Sequence, residues 1–378
     1  MLSLPADVEL YRQTVRAAVD AQIIGRPERS LTESGFDPEL FGTVRQLGVT
    51  GVPFPLEAGG GGGSFLAFIV AIAELARGSI SAAGYAGTAA QVARAMLSRG
   101  TPAVIERWVA PLLRNEILAS WAFTEPGTGS DPRQIQTRAE ADGPDWLISG
   151  EKTFISFAPQ AAVAVVFARV ESGRLGAFVV DTATGGWQAG PPMNLLAEGF
   201  LTAPVTLDRV RVPGEAVLGD PEDGFSLLVA SEAEGKLRGC ATCIGIAERA
   251  LEEATGYALT REHRGTPIGR KFPTVQSLLG DMGARLLSAR SLAQSVAAKV
   301  DAGADVIGDA AAAKLIATEA AREVTSNAVQ VCGAYGLSRE LVVERLYREG
   351  KMFDVIQGAA EIQRVIVARE LMNAAERS

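Results

Sequence analysis

The order of helical and β-rich patterns along the 378-residue chain is the feature that most constrains its fold. Residues 1–117 and 223–378 carry helical periodicity, whereas residues 118–222 consist of short β-rich runs separated by turn clusters such as PGTGSDP and TATGG. We therefore predict an α+β protein with an N-terminal helical domain, a middle antiparallel β domain and a C-terminal helical bundle at those boundaries. This order disfavours a nucleotide-binding α/β sheet, in which strands and helices alternate.

Helix start signals and apolar spacing mark the two helical zones. In the N-terminal zone, Asp37 precedes Pro38 and Thr101 precedes Pro102, a pattern typical of an N-cap followed by proline in the first turn. The C-terminal zone has apolar residues at i, i+3 and i+4 with alanine-rich faces, which favour close helix packing. The predicted helical segments of this zone are 223–261, 273–301, 307–333 and 338–375.

Composition and charge exclude several classes of function. The formal net charge is −8 and no run of Lys or Arg is present, so we do not expect nucleic acid or an anionic membrane surface as partners. The N-terminal stretch lacks the features of a targeting leader. The most apolar run, SFLAFIVAIAELARG, meets Glu74 and Arg77 before it reaches membrane-spanning length. We predict a soluble protein of the cytoplasm.

Cysteine and histidine are scarce. Cys240, Cys243 and Cys332 give no disulfide framework, and the CxxC formed by the first two lies in a helix-like apolar segment, so we interpret it as helix packing. With His263 as the single histidine, no metal site is predicted and histidine-based catalysis has one candidate. The chemistry therefore falls on a cofactor or on carboxylates.

A run of five glycines at residues 59–63 invites comparison with a dinucleotide-binding loop. Ser64 occupies the position of the last required glycine, and no strand pattern leads into the run. We interpret the run as a flexible or tightly turning surface loop.

The segment WAFTEPGTGSDP at 121–132 is the strongest local motif. A strand ends at Thr124, a Pro-Gly turn follows, and small residues let backbone N–H groups approach a ligand, although a plain hairpin turn also explains the pattern. The segment is similar to the TEPGxGSD signature of the acyl-CoA dehydrogenase family, and the order of the three zones matches that family over essentially the whole chain. The resemblance implies a C-terminal four-helix bundle, FAD held between domains and subunits, an acyl thioester substrate and a homo-oligomer, either a dimer or a tetramer.

Four further segments extend the resemblance. ISGEKTFISF at 148–157 looks like the family's flavin-contacting strand, with Phe154 in place of the usual tryptophan and Ser156 in place of the usual threonine. YALTREHRGTPIG at 257–269 has Arg261 where the family's arginine reaches the FAD pyrophosphate of a neighbouring subunit. QVCGAYG at 330–336 and GAAEIQRVIVAREL at 358–371 resemble two C-terminal signatures. The FAD contacts that the resemblance implies are Phe123, Thr124, Gly129, Ser130, Phe154, Ser156, Arg261, Gln276, Gln330, Gly333, Ala359 and Glu361.

The position of the family's catalytic base holds an amide. The resemblance implies that a glutamate directly before the glycine of the last signature removes an α-proton from the thioester, while the β-hydrogen leaves as hydride to the flavin. Gln357 stands at that position, and an amide does not accept this proton at neutral pH. Some family members carry the glutamate on the first long helix of the bundle, at a site that aligns with Gly235. Glu234 is the candidate replacement, offset by one residue or about 100° on a helix.

Three hypotheses of function remain open. The first is an FAD-dependent oxidoreductase that acts on the α,β C–C bond of an acyl thioester, carried by CoA or an acyl carrier protein, with Glu234 as an unusual base or in the reductive direction. The second is a flavin-dependent monooxygenase on the same scaffold, which needs no α-proton base. The third is a non-catalytic partner subunit of a heteromeric acyl-CoA dehydrogenase. The sequence does not predict the acyl chain length or the electron acceptor.

Overall fold

The computed structural model describes residues 4–24, 35–193, 195 and 200–377. Its contacts divide the chain into two compact units. Unit 1 consists of Met1–Gly25, Ser64–Ala83 and Ala233–Ser378, and unit 2 consists of Arg26–Gly63 and Gly84–Glu232. Unit 1 is mainly helical, whereas unit 2 contains the large β-sheet. The domain boundaries after residues 117 and 222 stay predictions.

The N-terminal zone is helical, as predicted. Asp37 accepts a hydrogen bond from the Leu40 N–H at 2.9 Å, and Thr101 accepts one from the Val104 N–H at 3.4 Å, which confirms both N-caps. These bonds satisfy amide groups that a helix N-terminus leaves without intrahelical partners. The helices of this zone are α1 (Ala6–Val19), α2 (Pro38–Leu47), α3 (Phe65–Gly78), α4 (Ile80–Arg99) and α5 (Pro102–Leu113).

The five-glycine run forms a tight turn in unit 2. The N–H groups of Gly60, Gly61, Gly62 and Gly63 donate hydrogen bonds to backbone carbonyls between residues 51 and 55, at 2.8 to 3.0 Å. A Cβ on Gly60 would lie 2.3 Å from the Phe54 carbonyl oxygen, so the backbones approach too closely for a side chain. This geometry confirms the interpretation of the run as a tightly turning surface loop.

Seven strands form the sheet of unit 2, in the order β1-β4-β2-β3-β7-β6, with β5 paired to β4. The strands are β1 (Leu118–Ala122), β2 (Arg138–Asp142), β3 (Asp145–Ser156), β4 (Ala161–Arg169), β5 (Leu175–Asp181), β6 (Trp187–Ala189) and β7 (Thr202–Val212). The pairs β2–β3, β3–β7, β4–β5 and β6–β7 are antiparallel, as predicted. The sheet is nevertheless mixed, because β1 pairs with β4 in parallel.

Residues 145–156 form one continuous strand, β3. Gly150 lies at a register shift against β7, so the strand continues through a bulge. The next strand along the chain, β4, is buried from Val163 to Ala168. Such burial on both faces explains its continuous apolar sequence.

The C-terminal zone forms long helices, of which α8, α10 and α11 each pack on α9. These elements are α6 (Gly224–Thr260), β8 (Glu262–His263), β9 (Thr266–Pro267), α7 (Ile268–Lys271), α8 (Pro273–Asp301), α9 (Ile307–Cys332), α10 (Val342–Val355) and α11 (Ala360–Arg377). The predicted segment 338–375 is corrected to two helices, α10 and α11. Helical structure is interrupted between them because Gln357 and Gly358 have φ angles of 56° and 82°, which a right-handed helix does not accommodate.

The cysteines serve packing. Cys240 and Cys243 are free and fully buried in α6, and burial raises the pKa of the Cys243 thiol to about 12. Protonated, buried thiols confirm the packing interpretation of the CxxC.

Membrane-spanning helices and metal-binding clusters are absent from the part of the chain that the structure describes. Within residues 4–24, 35–193, 195 and 200–377, no helix has the length and apolar character to cross a membrane. The same residues contain no group of three or more His, Cys, Asp or Glu side chains placed to hold a metal ion. The cytoplasmic location stays a prediction.

Candidate active site

The PGTGSD segment forms an exposed turn at the end of β1. Glu125 and Thr128 exchange backbone hydrogen bonds of 3.0 and 3.1 Å, which close the turn around Pro126 and Gly127. Phe123 and Thr124 lie between the strand and the turn, half-buried, whereas Gly129 and Ser130 are exposed. The backbone after the turn is therefore accessible to a ligand.

A buried ion pair supports this turn. The Lys152 ammonium on β3 lies 2.9 Å from Glu125 Oε1 and also donates to the carbonyl oxygens of Phe123, at 3.1 Å, and Phe167, at 2.7 Å. The Glu125 carboxylate accepts further hydrogen bonds from the N–H of Gln136 and from the N–H and hydroxyl of Thr137. The pair ties the turn to β3 and β4 within unit 2.

Burial and ion pairing together shift the pKa values of Glu125 and Lys152. Burial raises the pKa of Glu125, but Lys152 and the hydrogen bonds from Thr137 and Gln136 outweigh burial, so the pKa of this carboxyl lies below its usual range. At Lys152, burial is the larger influence and lowers the pKa to about 8, against the attraction of Glu125. At both residues, the attraction between the two charges therefore opposes the effect of burial.

Phe154 and Ser156 follow on the same strand. The Thr153 N–H donates to the Thr124 carbonyl at 2.9 Å, so the strand and the PGTGSD turn are neighbours. Phe154 lies at a register shift with a φ of 55°, and its side chain is 51% exposed. A left-handed aromatic residue in a strand is uncommon and turns the ring toward solvent. The structure thus brings Phe123, Thr124 and the Phe154–Ser156 segment together.

In unit 1, a pocket contains one of the predicted phosphate contacts. Arg261, which directly follows α6, is exposed and lines this pocket. The other lining residues are Tyr257, Thr260, Tyr335 and Leu341. Tyr335 belongs to the QVCGAYG segment, so the structure brings that segment and Arg261 together. An arginine beside two tyrosines offers a charged donor and aromatic surfaces.

The other predicted contacts of unit 1 lie outside the residues that line this pocket. Gln276 donates from its amide to the Gly269 and Arg270 carbonyls, at 3.0 and 3.4 Å. Gln330 is exposed in the last turn of α9, and Gly333 ends that helix with a φ of 61°. Through its bonds to the Gly269 and Arg270 carbonyls, the Gln276 amide stabilises the backbone of α7 in this structure.

Gln357 lies in the short connection Ile356–Ala359 between α10 and α11. Its left-handed backbone is flanked by two carbonyls that accept hydrogen bonds from the buried Lys314 ammonium, those of Ile356 and Gly358. Gln363 also donates to the Gly358 carbonyl, at 2.9 Å. This connection is therefore fixed from two helices, α9 and α11.

Ala359 and Glu361 lie at the start of α11. The Ala359 carbonyl accepts hydrogen bonds from the N–H groups of Ile362 and Gln363, so it begins the helix. Glu361 is exposed in the first turn, where a carboxylate interacts favourably with the helix dipole.

Glu234 is half-buried on α6, directly before Gly235. The helix is α-helical from Gly224 to Thr260, so its regular winding separates the directions of these two positions by about 100°. A Cβ on Gly235 would lie 3.6 Å from an Arg238 side-chain nitrogen. The alternative base position is therefore adjacent to a guanidinium group.

Sequence reasoning missed three charged residues beside the predicted site segments: Glu125 and Lys152 in unit 2, and Lys314 in unit 1. All three are buried and make hydrogen bonds to segments that carry predicted site residues. A signal was available for Lys314, because it stands alone in the alanine-rich face AAAAKLIA. No comparable signal marks Glu125 and Lys152, which lie in polar segments.

Comparison with known proteins covers the entire helix–β–helix order. The acyl-CoA dehydrogenase N-terminal, middle and C-terminal domain families match residues 5–116, 120–210 and 222–372. The chain is 31% identical to a probable acyl-CoA dehydrogenase, YngJ, of Bacillus subtilis, over 98% of this chain and 99% of that protein. It is 30% identical to the caffeyl-CoA reductase-Etf complex subunit CarC of Acetobacterium woodii, over 96% and 98%.

A solved structure agrees with the sequence relatives. Butyryl-CoA dehydrogenase from Megasphaera elsdenii superposes with a TM-score of 0.93 at 28% identity, over 98% of this chain and all of that one. The chain therefore belongs to the acyl-CoA dehydrogenase family, whose members are FAD-dependent oxidoreductases that act on CH–CH groups.

Proposed function

We propose that this chain catalyses oxidoreduction at the α,β C–C bond of an acyl-CoA thioester, with an amide where the family has its carboxylate base. The observation that carries the proposal is Gln357, which lies in a connection fixed by Lys314 and Gln363. A fixed connection with an altered side chain indicates changed chemistry rather than a degraded site.

The residues present fit a bound flavin. Phe154 exposes an aromatic ring beside Ser156 in unit 2, and a planar apolar ligand would remove that ring from water. Arg261 and its tyrosine neighbours in unit 1 suit a phosphate and an aromatic base. When bound, FAD supplies the group that accepts or returns the hydride of the β-carbon.

We propose that two sets of residues hold this cofactor. The set in unit 2 is Phe123, Thr124, Gly129, Ser130, Phe154 and Ser156. The set in unit 1 is Arg261, Gln276, Gln330, Gly333, Ala359 and Glu361. Gln276 belongs to the second set on condition that its amide exchanges its present carbonyl partners for the cofactor.

On this proposal, the chain departs from the family at the proton transfer. The Gln357 amide can hydrogen-bond to a thioester but does not take up its α-proton. Glu234 stays a candidate for this role, yet it lies on a regular helix and points about 100° away from Gly235. Dehydrogenation and its reverse share one transition state, so a missing base slows both. The electron partner then determines the direction.

We also propose the partners of the reaction. CarC is named as part of a complex with Etf, so an electron-transferring flavoprotein is the proposed electron partner. CoA is the proposed thioester carrier, because both relatives are named for acyl-CoA or caffeyl-CoA chemistry, and an acyl carrier protein is the alternative. A homo-oligomer, dimer or tetramer, is proposed from family membership.

An anaerobic spectral titration tests the proposed function. The purified holoenzyme is mixed with saturated acyl-CoA thioesters of increasing chain length, and in a second series the reduced enzyme is mixed with the corresponding α,β-unsaturated thioesters. We expect slow bleaching of the flavin absorbance in the first series and its return in the second. Free carboxylic acids of the same chain lengths are the control, because they lack the thioester that acidifies the α-carbon.

Two results would overturn the proposal. A spectrum unchanged by every thioester in both directions, combined with oxygen consumption by the reduced enzyme and a hydroxylated product, would establish the monooxygenase alternative. A chain purified without flavin and unable to bind it would establish the non-catalytic subunit instead.

A further inference from the structure

A buried lysine lies beneath the connection between α10 and α11. Lys314 on α9 is 1% exposed, and its ammonium donates to the Ile356 carbonyl at 2.7 Å and to the Gly358 carbonyl. Burial of an ammonium is costly unless the group is hydrogen-bonded. Here it donates to carbonyls on both sides of one residue, Gln357.

The Lys314 and Gln357 side chains lie against the same glycine, Gly239. A Cβ on Gly239 of α6 would lie 2.7 Å from Gln357 Oε1 and 3.7 Å from Lys314 Cε. Both side chains therefore converge on the bare backbone of Gly239. A methyl group at position 239 would occupy the space that the Gln357 amide now fills.

We propose that Lys314 is the positioning residue for residue 357, acting together with Gly239. The ammonium fixes the two carbonyls that flank residue 357 and places a positive charge beside this connection, while Gly239 leaves room for the side chain of residue 357. We call these two residues the Lys314–Gly239 platform. The inference rests on the proposed function, in that residue 357 must face the thioester for its position to matter.

The physical role of the platform goes beyond a local hydrogen bond. The last carbonyls of α10 have no intrahelical partner, and a cation at a helix C-terminus is favourable. Gln363 shares the Gly358 carbonyl, so a lysine is not needed for that bond alone. The added property is charge, which attracts a carboxylate at position 357 and repels a cation there.

A pair of charge variants tests this property with Lys314 intact. Gln357→Glu and Gln357→Lys are unfolded with urea at pH 7, as holoenzymes without thioester. The platform predicts an unfolding equilibrium constant about fivefold smaller for the Glu variant than for the Lys variant, the size of a partly exposed ion pair. Equal constants, or a more stable Lys variant, would overturn the inference.

A second step assigns the charge to Lys314. Lys314→Gln keeps a hydrogen-bond donor and removes the ammonium, so the difference between the two charge variants should disappear in that background. In the control background Lys299→Gln, which removes an exposed lysine paired with Asp309, the difference should persist. If the difference persists without Lys314, that residue is not the source of the charge preference at position 357. If Lys314→Gln does not fold, the first pair of variants still decides.

This test is separable from the proposed function. No thioester is present during unfolding, so the platform can be confirmed while every thioester titration fails. Conversely, flavin bleaching by acyl-CoA without any charge preference at position 357 would retain the function and overturn the platform.

Discussion

Glu125 and Lys152 form a buried ion pair, 2.9 Å from oxygen to nitrogen, that anchors the PGTGSD turn to the sheet. The two residues are far apart in sequence, in the turn after β1 and in the middle of β3. Lys152 also donates to the Phe123 carbonyl, so the pair lies beside the segments that carry Thr124 and Phe154. The exposed motif thus depends on an interior interaction.

Removal of one partner of this pair should destabilise the protein strongly. Lys152→Met leaves the Glu125 carboxylate buried and without its cation, which should cost about 3–5 kcal/mol in free energy of unfolding. Urea denaturation of the purified variants measures the loss. The matched control is Arg107→Gln, which breaks an exposed pair with Asp181 and should cost less than about 1 kcal/mol. Similar losses in both variants would contradict the structural role of the buried pair.

The pH dependence of stability should also report this pair. The pKa of Glu125 is lower in the folded chain than its usual value of 4.5, so the unfolded chain binds the proton first as the pH falls. The contribution of Glu125 is therefore complete above about pH 4.5 and lost below it. In Glu125→Gln, the decrease in unfolding free energy between pH 5 and pH 3 should be smaller than in the wild type. An identical pH profile would show that this carboxyl does not contribute.

Arg261 should contribute more to FAD retention than its neighbour Arg264. Both arginines are exposed and lie in the same short connection, but Arg261 lines the pocket with Tyr257 and Tyr335. Loss of a hydrogen bond to a charged phosphate costs about 1.5–3 kcal/mol, so Arg261→Gln should weaken FAD binding by about tenfold or more. Flavin fluorescence during dialysis measures the dissociation constant. Equal weakening in Arg264→Gln would argue against a specific contact.

Glu234→Gln should change the rate of flavin bleaching only a few-fold. The regular winding of α6 directs this side chain away from the position of Gly235, where the alternative base of the family would lie. Rapid-mixing absorbance measurements with a saturated acyl-CoA compare this variant with Glu232→Gln, an exposed carboxylate on the same helix. A loss of about a hundredfold or more confined to Glu234→Gln would identify Glu234 as the base.

The sequence predicted those parts of the fold that short-range patterns, such as helix caps and helical periodicity, specify. Caps at Asp37 and Thr101, and the long α8 and α9 segments, follow from short-range patterns that the structure retains. The parallel pairing of β1 with β4 was missed, because strand patterns report burial and not the direction of a distant partner. The break at Gln357 was missed because a single left-handed non-glycine residue has no distinctive pattern.

The candidate site was predictable only in part. Motif positions such as Phe154 and Arg261 were found from resemblance, and the structure shows an exposed ring and a pocket there. The buried charges that support them were not found, since burial of Lys152 or Lys314 depends on tertiary contacts with segments far away in the chain. A lysine ordinarily lies on the surface, and only Lys314, which stands alone in an alanine-rich face, carried a sequence signal of its burial.

The central claim, that the amide at position 357 leaves the proton transfer without its base and so limits the reaction, is tested most directly by Gln357→Glu. Anaerobic rapid mixing of the holoenzyme with a saturated acyl-CoA measures the rate of flavin bleaching in the wild type, in Gln357→Glu and in the control Gln357→Asn. A restored base should accelerate bleaching by at least about a hundredfold, the usual contribution of general base catalysis, and Gln357→Asn should not. An unchanged or slower rate in Gln357→Glu would contradict the account.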